Sequence, residues 1–163
     1  SSERREYIPI GWLEPPVIPS NLVRVMENAT KPLFAILTSQ MHMSWLRHIG
    51  GRLKSDYRYS IGLVYNTYPL PEVKKEKYES LESYADAVLA VRSVFPKESL
   101  ANLYDPDLMP PTLRKAHKAL DRAVESLYRG KKFTSDRERA EHLLGIYEKR
   151  SAPLFVTGNR GKK

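Results

Sequence analysis

The chain has 163 residues, of which 41% are apolar, enough for one ordinary globular domain or two small ones that share a core. It contains no cysteine, so disulfides, thiolate metal sites and cysteine nucleophiles are excluded, and a reducing cytoplasm is the expected setting. Lysine plus arginine outnumber aspartate plus glutamate by 27 to 19, and a net charge of +8 attracts polyanions at a distance, nucleic acid first among them. The longest apolar run, Pro32 to Leu37, is too short to cross a bilayer, and the opening SSERREY lacks the apolar region of a signal peptide.

Up to Pro71 the pattern is that of short β-like pieces around one helix. Tyr7 to Leu13 (YIPIGWL), Val17-Ile18 and Leu22 to Met26 (LVRVM) are separated by Pro and Asn breakers, and Pro9 and Pro19 confine them to sheet edges because proline cannot donate to a ladder. Asn28-Ala29-Thr30 punctuates the chain, and Thr30 is placed to cap a helix with Pro32 in its first turn. That helix is predicted to run to about Ile49 (PLFAILTSQMHMSWLRHI), to stop at Gly50-Gly51, and to be buried against a sheet, since apolar residues lie on several of its sides. The segment GRLKSDYRYS follows as an extended stretch. Ile61 to Tyr65 (IGLVY) then reads as a strand buried on both faces, ended by Asn66-Thr67, Pro69 and Pro71.

From Glu72 the composition changes to charged helices. Lys75 to about Phe95 carries a stripe at Tyr78, Leu81, Ala85, Val88, Leu89 and Arg92, and Pro96 breaks it. Ser99 to Leu103 adds one turn, and Tyr104 to Pro111 forms a rigid connector. Thr112 to Arg129 places Leu113, Ala116, Leu120, Ala123, Val124 and Leu127 on one face, and Gly130 ends it. Ser135 or Asp136 caps a last helix with a stripe at Ala140, Leu143, Leu144 and Tyr147. The expected class is α+β: a small mixed sheet with a buried helix in residues 1–71, a C-terminal helical bundle in residues 72–150, and a flexible basic tail in residues 151–163. A first part of that size buries a core poorly by itself, so it is either completed by the helices or cut from something larger.

Groups for catalysis are sparse. His42, His48, His117 and His142 lie on predicted helices without metal-ligand spacing, and no GxSxG, Walker loop or Gly-rich dinucleotide turn occurs. Gly50-Gly51 follows a helix, where a phosphate cradle needs its glycines before one. Acidic residues sit in charged helical faces such as EKYESLE, which are solvated surface. The chain by itself reads as non-catalytic.

GRLKSDYRYS has a different chemistry available. In the DNA major groove lysine or arginine donates to guanine O6 and N7, while aspartate accepts from the cytosine amino group. On an extended segment Lys54 and Asp56 face the same way about 7 Å apart, which suits the two halves of one G·C pair, and Arg58 continues that face toward the next pair. Arg47, Arg52 and the hydroxyls of Ser55, Tyr57, Tyr59 and Ser60 are candidates for the phosphates, which position a protein without reading sequence. The spacing alone more often marks a surface ion pair.

The runs REYIPIGWL, VIPSN, LTSQMHMSWLRHIGGRLKSDYRYS and IGLVYNTYPLP together resemble the target-recognition domain of the MmeI family, and LANLYDPDLMPPTLRKAHKALDRAVESLY resembles that family's C-terminal helical region. These are type IIL restriction-modification enzymes built on a DNA adenine methyltransferase. The resemblance covers most of residues 4–150. It implies a C-terminal fragment that grips double-stranded DNA and selects the sequence to be methylated, beside the methyltransferase domain of the same parent chain in a prokaryotic cytoplasm. It implies base contacts at Lys54, Asp56 and Arg58, with Leu22 beside Arg58 shaping a neighbouring contact. S-adenosylmethionine, and Mg where the parent cleaves DNA, would belong to other domains. The methyltransferase's cofactor glycines and its Asn-Pro-Pro-Tyr are absent; Asn66-Thr67-Tyr68-Pro69 shares only the outline of the latter and lies on the wrong side of the recognition segment.

The competing expectation is a helical module, residues 72–150, that docks a partner or the parent's other domains without touching DNA. Recognition of RNA by stacked tyrosines is disfavoured, because the ten tyrosines are scattered through both halves.

Overall fold

The computed structural model describes residues 4–53 and 56–156. Their order is α1 (Lys31–Leu37), α2 (Gln40–Ile49), β1 (Gly51–Leu53), β2 (Asp56–Arg58), a π-helical turn (Ile61–Tyr65), α3 (Lys75–Glu79), α4 (Glu82–Ser93), α5 (Leu100–Leu103), α6 (Pro111–Tyr128) and α7 (Asp136–Val156). The fold is α+β, and its sheet, among the described residues, is one antiparallel hairpin. No described helix is long and apolar enough to cross a membrane.

Local chemistry explains where the elements depart from expectation. The pieces at 7–13, 17–18 and 22–26 form no strands. Tyr7 and Ile8 instead enter the core, while the chain from Leu13 to Met26 runs over the surface with Ile18 and Leu22 about nine-tenths exposed, at 91% and 89%. Prolines at 9, 15, 16 and 19 deprive this stretch of the donors a ladder needs.

The helix expected from Pro32 to Ile49 is divided at Thr38-Ser39. The Thr38 hydroxyl donates to the Phe34 carbonyl at 3.0 Å and Ser39 to the Ile36 carbonyl at 2.7 Å, while Ser39 in extended geometry caps α2 through the His42 amide. The expected strand Ile61 to Tyr65 is a π-helical turn capped by the Ser60 hydroxyl, with Val64 its buried residue. Ser80 bonds back to the Lys77 carbonyl at 2.7 Å and separates α3 from α4. The last helix continues past Ser151, where a tail was expected, to Val156.

Most of the helical stripes behave as the periodicity predicts: Leu81 just before α4, Ala85 and Val88 within it, Leu113, Leu120 and Val124 of α6, and Ala140 and Leu143 of α7 are buried, whereas Tyr147 of the last stripe is exposed. α4 packs on α6 and α1, and α2 packs mainly on α7. One hydrophobic cluster joins Tyr7, Phe34, Trp45 and Val64 to Leu103, Leu120 and Phe133, so the sheet-bearing part and the helices share a core.

Polar braces run through that core. The Asp121 carboxylate accepts from the Tyr7 hydroxyl and from the Gln40 amide, both at 2.8 Å. Arg92, on the apolar stripe of α4, donates to the Tyr104 hydroxyl and to the Ile10 carbonyl, each at 2.8 Å, and Tyr104 in turn meets His117 Nε2 at 2.7 Å. The His117 ring stacks on Tyr7 with centroids 4.1 Å apart.

Burial sets the protonation of these groups. Desolvation lowers His42 and His117 from their ordinary 6.5 to about 3, and pushes the Asp121 carboxyl up to about 7 against the pull of its donors. A histidine depressed in the fold contributes stability above 6.5 that is lost as pH falls; the raised aspartate contributes stability at low pH that is lost as pH rises through about 7. Two histidines outweigh one aspartate. Stability should therefore fall between about pH 6 and pH 4.5 by roughly 1.4 kcal/mol per pH unit for each net proton taken up on unfolding. Urea midpoints across this range check the sign, and Asp121→Asn, which removes the opposing group, should steepen the loss.

Candidate nucleic-acid interface

α2 ends where Gly50 crosses its own last turn. A Cβ at Gly50 would lie 2.4 Å from the Leu46 carbonyl oxygen, so only glycine fits, whereas a Cβ at Gly51 would meet nothing within 4 Å. The chain leaves α2 directly into the hairpin, in which Gly51 pairs with Arg58, Arg52 with Tyr57 and Leu53 with Asp56. The segment GRLKSDYRYS, expected to be one extended stretch, thus contains two short strands. The calls on Lys54 and Ser55 lie outside the described residues.

Alternation along β2 sorts its side chains. Tyr57 turns inward and is buried, while Asp56 and Arg58 are exposed on the opposite face. The Arg52 guanidinium covers the Tyr57 ring at 4.8 Å from its centroid, with Nη2 3.4 Å from the phenolic oxygen. Asp56 and Arg58 are thereby presented on a ribbon whose other face is fixed.

The support beneath the ribbon comes from α2. The Tyr59 hydroxyl lies 2.9 Å from Nε2 of the fully buried His42, and burial pushes the Tyr59 phenol up to about 12 and keeps His42 neutral. Tyr68 meets the His42 ring edge-on at 4.5 Å and bonds the Tyr128 hydroxyl of α6 at 2.8 Å. Trp45 donates to Thr67 at 3.3 Å.

Several residues expected at phosphates are engaged elsewhere. Arg47 pairs with Asp136 of α7 and donates to the Arg5 carbonyl at 3.1 Å; Asp136 also accepts from Ser44 at 2.9 Å. Tyr57 is buried, Tyr59 holds His42, and Ser60 caps the π-helical turn. Arg52, Asp56 and Arg58 remain exposed, and Leu22 stands exposed on the preceding loop. The inward hydroxyls escaped sequence reading because a polar tip on an aromatic body reads equally as surface or as a braced core. The faint signal was the period of two, which puts Tyr57 opposite to Asp56 and Arg58.

Comparison with known proteins gives consistent matches. The family model described as the MmeI target recognition domain matches residues 1–72, and that of the MmeI C-terminal domain matches residues 73–155. DNA methyltransferase A of Bacillus subtilis (strain 168) is 45% identical over 150 residues, covering 91% of this chain and 17% of that protein. A solved structure of the type IIL restriction-modification enzyme MmeI in complex with DNA is 44% identical, with a TM-score of 0.86 over 93% of this chain and 20% of that one. The chain thus spans about a fifth of the length of these relatives.

Anchoring and contact are separable at Tyr59. Tyr59→Phe strands His42 Nε2 in the core and should destabilise the protein by about 1–3 kcal/mol, read by chemical denaturation, while leaving sequence preference for a bound partner intact.

Proposed function

The chain belongs to the MmeI family, and on that footing we propose that it is the C-terminal DNA-recognition part of an S-adenosylmethionine-dependent DNA adenine methyltransferase or combined restriction-modification enzyme. The observation that carries the reading is the ribbon itself. The major groove admits a two-stranded β-ribbon, and this one offers Asp56 and Arg58 on a face freed from packing by Tyr57.

In this reading Asp56 accepts from a cytosine amino group and Lys54 donates to the guanine of the same pair. Arg58, about 7 Å along β2, reaches a neighbouring pair, and Leu22 shapes a contact beside it. Arg52, held over Tyr57, is the phosphate contact nearest the reading face. Arg47 acts one step back, by locking the end of α2 to α7. Residues 1–71 carry the reading face and residues 72–150 complete its core. The cofactor belongs with the methyltransferase domain of the parent, and nothing in this chain's mechanism runs through it. The family's DNA-bound relative supports double-stranded DNA as the partner.

The competing docking role is weakened by the core. The apolar stripes of α4, α6 and α7 are spent on contacts with one another, α1 and α2.

In the full-length parent, Lys54→Ala or Asp56→Ala should change or abolish sequence choice, each lost base contact costing about 1–3 kcal/mol. The methylation pattern of DNA from expressing cells reports this directly; an unaltered pattern refutes the assignment, as does a recognised site without G·C at that position. Arg52→Ala should weaken binding to every sequence and reduce the salt slope of log K by about 0.9.

A further inference from the structure

The helix α6 sorts its charges in an unusual way. Its two acids face inward: Asp121 is buried under Tyr7 and Gln40, and Glu125 is buried against Arg139 at 2.6 Å. Three of its cations, Lys115, Lys118 and Arg122, face solvent. Among the described residues these three make no ion pair, whereas exposed cations on other helices do, as in Lys75–Glu79 and Arg137–Glu141.

The arrangement works against the helix. Lys118 and Arg122 are four residues apart and Lys115 and Lys118 three, spacings at which like charges repel. No acid offsets them in the first turn, where the helix dipole disfavours cations. With Arg114, Met109 and Pro111 they line an open depression of about 420 Å³. Arg114 is tied to Glu6, so three cations are available to an outside anion.

From Lys115 to Arg122 the helix rises about 10 Å, close to the axial rise over three phosphate-to-phosphate steps on one strand. The face offers no aromatic anchor of the kind that dominates protein interfaces. We propose that the outer face of α6 holds the phosphate backbone of duplex DNA through Lys115, Lys118 and Arg122, outside the base pairs met by the hairpin. This rests on the DNA-recognition reading and adds to it a second, sequence-independent grip in the helical half.

The test uses the full-length parent and two duplexes, with and without its recognised site, titrated between about 50 and 200 mM salt. The triple variant Lys115→Ala/Lys118→Ala/Arg122→Ala should flatten the slope of log K against log salt by up to about 2.7 and weaken both duplexes by the same factor. Its methylated sequence should not change, and its thermal midpoint should equal or exceed that of the wild type, because the substitutions remove the repulsion along α6. Lys115→Arg/Lys118→Arg should keep the wild-type slope. An unchanged slope in the triple variant overturns the proposal, as does a loss confined to the duplex bearing the site. Asp56→Ala in the same titration keeps the two readings apart: unaltered sequence choice there refutes the hairpin assignment and leaves a flattened slope in the triple variant standing.

Discussion

The Asp121 carboxylate is the constraint on which the rest of the arrangement depends. It sits on α6, yet its two oxygens are taken by the Tyr7 hydroxyl and by the first amide of α2. A helix start leaves amides without intrahelical partners, and burying one is tolerable only when an acceptor is supplied. Ser39, within the α1–α2 break, and Asp121, on α6, supply them here. The Gln40 side chain also holds the Glu6 carbonyl at 2.7 Å. The N-terminal segment, the start of α2 and the middle of α6 are therefore set relative to one another by one buried contact group.

The far end of α2 inherits that precision. Arg47 and Ser44 meet Asp136 at the start of α7, and Gly50 turns the chain straight into the hairpin without a linker. His42, Tyr59, Tyr68 and Tyr128 then tie the chain after β2 to α2 and to α6. A ribbon this short has little stability alone, since a lone hairpin is marginal in water. Its shape is borrowed from the helices beneath it, which gives the C-terminal half a physical role in whatever the ribbon contacts.

The helical half was legible because its apolar stripes keep a 3.6-residue period, and Arg92 fell on the stripe although its charge argued against burial. The N-terminal half was less so. IGLVY has five residues and no period, so its composition pointed to a strand while Ser60 was already placed as a cap. The reversal between Leu53 and Asp56 carries no glycine or asparagine of the usual hairpin turns, so the segment read as continuous. Thr38-Ser39 escaped notice because both residues are also tolerated within helices. Of the candidate site, the exposed Asp56 and Arg58 followed from alternation and groove chemistry. The commitments of Arg47 to Asp136 and of Tyr59 to His42 depended on partners distant in the chain, and so did the inward turn of both α6 acids, whereas Ser60 turned to the nearby Leu63 amide.

Placing Tyr57 between Asp56 and Arg58 has an evolutionary side. Exposed positions away from packing tolerate replacement at little cost, usually within about 0.5 kcal/mol. Residues 56 and 58 are then open to drift, while the one between them is held by the core. A lineage can exchange what the ribbon displays in single steps, and no step needs a compensating change in the fold.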